Sequence, residues 1–152
     1  MLLQIVLRGS AEIRQGSAAA TVGSGQALIV DSAIASRKLW HGSSRQVMIT
    51  CGRRQLEHTL AKEAGIGIVE PLCFRPLAVI DLDAASAFWN HLLTICHDLN
   101  DPKSRFARGP TGSLAERTLL LLLLEAVPNN YTAALRAQQS SPAVPYYVRW
   151  AE

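Results

Sequence analysis

The chain has 152 residues, 49% of them hydrophobic and 18% charged, with a net charge of +3. This balance excludes a disordered segment, and the length suffices for one domain with a proper core. Basic residues are scattered, pairing only at Arg37-Lys38 and Arg53-Arg54, so the clustered footprint of a nucleic-acid surface is excluded as well.

Cys51, Cys73 and Cys96 are odd in number and far apart, with no CxxC pair. Neither a disulfide framework nor a zinc knuckle follows; free thiols in a reducing cytoplasm do. The N-terminus turns polar too soon for a signal peptide. The longest apolar run, Leu119 to Leu124, is far below bilayer length. A cytoplasmic protein with no membrane partner is expected.

In chain order, Leu3, Ile5 and Leu7 alternate with Gln4, Val6 and Arg8, the period of a half-buried strand. Arg8-Gly9-Ser10 reads as a turn, residues 11–15 as a second strand, and Gly16-Ser17 as a tight hairpin turn. A third strand over Ala18 to Val22 ends at Gly23-Ser24-Gly25. The continuous apolar run Ala27 to Val30 predicts a strand buried on both faces. Two more strands, Ser36 to Trp40 and Arg45 to Cys51, flank a turn at His41-Gly42-Ser43-Ser44. Short strands with frequent Gly/Ser turns predict an antiparallel barrel or sandwich over residues 1–52.

After Gly52 the period changes. Leu56, Leu60 and Ala64 recur every four residues and Gly65 follows, predicting a helix over 53–64. Pro71 and Pro76 forbid a long helix within 66–82. Asp81 or Asp83 then caps a helix to about Leu99, whose Phe88, Leu92, Ile95 and Leu99 form the seam of a helix pair. A polar loop occupies 100–112. Ser113 and Glu116 match a capping box, opening a helix with six consecutive leucines that ends near Val127-Pro128. Leucine all round predicts a helix enclosed on most sides. The layout is α+β, with a strand-rich region 1–52 and a helical hairpin over 53–128 of the same domain. From residue 129 a proline-bearing linker leads to Tyr147 and Trp150, the opening turn of a helix with no stop signal. That suggests the start of a further domain; the alternative is a plain C-terminal tail.

The stretches Leu7-Arg8-Gly9-Ser10-Ala11-Glu12-Ile13-Arg14-Gln15-Gly16 and Gly23 to Asp31, and the passage from Arg45 to Glu57, resemble the cupin-like N-terminal domain of AraC/XylS-type transcription regulators. The ending Val144 to Glu152 is similar to their linker and the first helix of their DNA-binding domain. The resemblance covers nearly the whole chain, through the order and spacing of its motifs. It implies an effector-sensing and dimerisation domain: a small effector in the barrel, a homodimer through the helices after it, and DNA bound only by C-terminal helix-turn-helix units. Two departures stand out. Family members usually carry more sequence before the matching region, so this barrel is expected to be short of strands. The helix-turn-helix half is absent, so nothing here reads bases.

Metal-binding cupins gather several histidines and a carboxylate on neighbouring strands. Here the strand region holds only His41, while His58, His91 and His97 fall in predicted helices at spacings without an i, i+4 pair. No local Cys/His dyad is visible. Gly23-Ser24-Gly25 lacks the ending of a phosphate loop, and Asp81 with Asp83 is better read as helix capping than as a catalytic pair. No catalytic residue, metal or cofactor is therefore expected, and no enzyme. For an effector, the inward strand residues with polar handles are Gln4, Arg8, Trp40 and His41. The Arg8 guanidinium matches a carboxylate geometrically, the alternative being a solvated Arg8 and a Trp40 that is simply core. For a homodimer, the candidates are Phe88, Trp89, Leu92, Ile95 and Leu99 on one helix and Leu121 on the next, although both helices must also pack on the barrel. The function that emerges is the regulatory half of a transcriptional regulator. Two alternatives remain: a stand-alone cupin-like binding protein or enzyme, and a purely structural dimerisation domain.

Overall fold

The computed structural model describes residues 1–139. Nine elements follow one another: β1 (Leu2–Gln15), β2 (Ala18–Gly23), β3 (Gln26–Val30), β4 (Ser36–Thr50), α1 (Arg53–Lys62), β5 (Val79–Asp81), α2 (Ser86–Leu99), α3 (Gly109–Ala126) and α4 (Thr132–Gln139). The expected α+β class is the observed one: a curled antiparallel half-barrel sheet followed by four helices. Among the described residues no helix is long and apolar enough to cross a membrane.

The sheet is organised around β1. Its first half lies between β3 and β4, and its second half between β2 and β4. The expected turns at Arg8–Ser10 and His41–Ser44 do not fold back. They lie side by side within two continuous strands, where the pairing shifts register on either side of Arg8. A glycine that marks a turn marks a β-bulge equally well, because both need the left-handed region; Gly9 has φ 82° and Gly42 φ 70°. Gly9 is also hemmed in, since a Cβ there would stand 3.0 Å from the His41 carbonyl oxygen.

The bulge decides which side chains face which way. Before it, Leu3 and Ile5 turn toward the helices and Val6 away from them; after it, Ala11 and Ile13 join Val6. The strand bends there and the sheet curls. Two cores result, one on each side. The larger packs Leu3, Ile5 and Ile29 against Leu56, Phe88 and Leu124; the smaller holds Val6, Ile13, Val22, Leu28 and Leu77. β3 feeds both, so its Ala27–Val30 run is buried throughout, as expected.

Several helix boundaries differ from expectation. Gly65, at φ 63°, ends α1 and lets the Ile66 N–H reach the Leu60 carbonyl at 3.0 Å. The Asp81 carboxylate accepts the Asp83 N–H at 2.8 Å, but in a turn ahead of α2, which starts at Ser86. β5 was not expected; three residues are too few for alternation to show. α3 starts at Gly109 with Pro110 in its first turn, four residues before Ser113. The capping box therefore does not form, and Glu116 instead accepts a hydrogen bond from Gln55 on α1. The leucine run is enclosed as expected, with Leu120, Leu123 and Leu124 buried and the other three half-buried. Between α2 and α3 the Asp98 carboxylate accepts from the Ser104 hydroxyl and the Phe106 N–H, bonds that hold it below the usual aspartate range. Residues expected to begin a linker form α4, whose Leu135 is in the larger core together with Tyr131. The Tyr147–Trp150 turn lies outside the described residues.

Candidate effector-binding site

On the curled face, Gln4 lies between Leu28 and Met48 and is 1% exposed. Its Nε2 donates to Gln46 Oε1 at 3.1 Å, while its own Oε1 has no donor. A buried acceptor without a partner costs about 1–3 kcal/mol. Trp40 packs half-buried against the smaller core on the same side. His41 is exposed, 3.4 Å from the Glu12 carboxylate. Arg8 is exposed at the bulge opposite Arg45. The curled face thus collects Gln4 and Trp40, separated by the bulge, and leaves Arg8 and His41 at the surface.

None of these four residues lines the partly open cavity of about 130 Å³ at one end of the sheet. That cavity lies between the ends of β1 and β3, the first turn of α1, and the segment 72–76. Ile29, Leu56, Leu72 and Phe74 supply apolar wall; Arg53, Arg75, Asp31 and Gln15 supply the polar groups. Arg53 and Leu56 share a face of α1 because they stand at positions i and i+3. Leu56 is buried while Arg53 remains exposed.

The walls are tied down. Gln15 Nε2 donates to the Asp31 and Ile34 carbonyls at 2.7 and 2.9 Å, and its Oε1 accepts the Asp31 N–H at 3.3 Å. The Asp31 carboxylate in turn accepts the Ala33 N–H at 2.9 Å. Across the cavity, the Leu72 N–H donates to Glu57 Oε1 and the Cys73 N–H to Asn130 Oδ1, both at 2.9 Å. Just upstream, the Tyr131 hydroxyl accepts the Val69 and Glu70 N–H groups and donates to the Glu70 carbonyl.

Charge is less evenly matched. Neither the Arg53 nor the Arg75 guanidinium makes a hydrogen bond or ion pair among the described residues. α1 begins without a side-chain cap and without an acid in its first turn, which leaves the positive end of its dipole uncompensated. Cys51 is buried, and burial pushes its thiol upward in pKa; Cys73 is exposed at the cavity wall. Among the described residues no three His, Cys, Asp or Glu side chains come together to hold a metal ion.

The expected dimer stripe is divided by the fold. Phe88 and Leu92, 2% and 5% exposed, point into the larger core, and Trp89 packs half-buried against it. The seam that the spacing marks is thus largely internal to the chain. Ile95 and Leu121 are half-buried and Leu99 is exposed; nearby on α2 and α3, Leu93 and Leu114 are exposed too. The cavity residues escaped sequence reasoning because they come from five separated stretches, and the Arg53-Arg54 pair read only as scattered surface charge.

A curled sheet backed by helices, with a partly open cavity of apolar wall and a few charged groups, defines a domain able to receive a small molecule. The chain matches the AraC-binding-like domain over residues 1–125 and belongs to that family, the effector-binding domain of AraC-type regulators. No curated protein and no solved structure matches it.

Proposed function

We propose that the chain is the effector-sensing and dimerising half of an AraC-type transcriptional regulator, acting without catalysis in the cytoplasm, with DNA bound by helix-turn-helix units C-terminal to it. The observation that carries this reading is the cavity, in a chain of the effector-binding family. Its walls come from β1, β3, α1 and the 72–76 segment, so a molecule inside it touches the sheet and the helical half at once. α1 is coupled onward to α3 by Gln55 with Glu116 and by the Arg117–Glu63 ion pair at 3.2 Å. A ligand regulates by binding one arrangement of these parts better than another. Exposed Leu93, Leu99 and Leu114 supply the apolar surface for a second copy. Gln4, Arg8, Trp40 and His41 lie away from this cavity, and the effector contacts are assigned instead to its lining.

Thermal-shift screening against sugars, carboxylic acids and amines, together with sedimentation equilibrium, tests the proposal. One chemical class raises the melting temperature in a saturable way, and the chain sediments as a dimer that Leu99→Arg with Leu114→Arg converts to a folded monomer. A monomeric chain that no class stabilises is incompatible with this function.

A further inference from the structure

Resting on the effector-sensing reading, the geometry points to the class of molecule: a small monoanionic carboxylate with a compact apolar body, its carboxylate held by Arg53 and Arg75. Size comes first. The cavity measures about 130 Å³, and an apolar cavity of about 150 Å³ is known to hold benzene. One ring, or a branched chain of similar bulk, fits.

Polarity decides between the remaining classes. A neutral polyol needs a donor or acceptor for each hydroxyl it buries, and each one left unpaired costs about 1–3 kcal/mol. The cavity cannot supply them. Gln15 spends both ends of its amide on the 31–34 turn, and Ile29, Leu56, Leu72 and Phe74 offer nothing polar from their side chains. The side-chain polar groups left for a ligand are the two guanidinium forks, the Asp31 carboxylate and the weakly polar Cys73 thiol.

Charge fixes the sign. Arg53 and Arg75 together outweigh Asp31, which pairs with neither of them, and the uncapped start of α1 adds positive potential beside Arg53. A cation is repelled by this wall. A monoanion gains charge-assisted hydrogen bonds from guanidinium groups that lack a partner among the described residues. Both arginines line the cavity and are exposed, which puts the carboxylate at the mouth and the apolar body against Leu56 and Phe74.

The test is calorimetric titration of the whole chain with benzoate and 3-methylbutanoate, set against benzamide, benzyl alcohol, acetate and a hexose. Both apolar carboxylates bind saturably. The neutral isosteres and acetate bind at least about tenfold more weakly, because each keeps only one half of the recognition. Arg53→Gln with Arg75→Gln lowers carboxylate affinity by about tenfold or more and leaves the unliganded melting temperature in place, since both side chains are exposed. The isostere comparison needs no variant, so it decides even if the double variant folds poorly. Equal binding of benzamide and benzoate, or unchanged carboxylate binding by the folded double variant, overturns the inference and leaves effector sensing standing. A chain that binds none of these compounds, and that no sugar or amine stabilises, overturns both.

Discussion

On its helix-facing side the sheet presents Leu3, Ile5, Ala27 and Ile29 to side chains from all four helices, whereas on its curled side Val6, Ile13, Val22 and Leu28 close mainly on one another. The difference is one of depth. Behind the first face stand rigid helices whose own backbones are fixed by packing, so an atom removed there leaves a hole that little can fill. Behind the second face there is only the curl itself and Leu77, which can tighten. The same strand therefore carries residues of similar burial and unequal weight.

Truncation tests this most directly. Leu124→Ala, at a fully buried position of α3, should cost about 4 kcal/mol in urea unfolding, and Ile13→Ala on the curled face about 2 kcal/mol. Equal losses would remove the distinction between the two cores. A smaller effect separates the bulge from an ordinary turn. Gly9 and Gly16 both have positive φ, but a Cβ at Gly16 meets open space while one at Gly9 meets His41 and Ser44. Gly9→Ala should lose about 2 kcal/mol and Gly16→Ala about 1 kcal/mol in the same assay; the excess measures how tightly β1 and β4 are pressed together. Smallest is Gln4→Met, which removes the orphaned acceptor at similar volume and should be neutral or stabilising by up to about 1 kcal/mol. A clear loss of stability would mean that the lost Gln4–Gln46 hydrogen bond outweighs the relief of the orphaned acceptor.

Much of the fold was legible in the sequence because strands and helices bury themselves by different periods. The alternation in residues 3–7 and 11–15, the apolar run 27–30 and the four-residue step from Leu56 to Leu60 all correspond to observed elements. Turn and bulge were not separable at Gly9 and Gly42, since the backbone demand is the same and only the strand opposite tells them apart. Ser113 and Glu116 carry the pattern of a capping box, yet Pro110 starts the helix earlier and Gln55 claims the glutamate. Apolar spacing in α2 marked a seam without naming its partner, which for Phe88 and Leu92 is the chain's own core. The cavity was illegible for a simpler reason: residues 1, 15, 29–34, 53–56 and 72–76 become neighbours only after folding.

The Tyr131 clasp gives the end of the described chain a fixed bearing. Tyr131 grips the backbone of Val69 and Glu70, and Asn130 holds Pro71 and Cys73, so the residues that lead into α4 are moored to the strip that continues into the cavity wall. Leu135, one turn further on, seats the helix in the larger core. These two anchor points on one short rod set the direction in which the chain arrives at residue 139. Leu72 and Phe74 also line the cavity, so the cavity wall and the end of the described chain share one support.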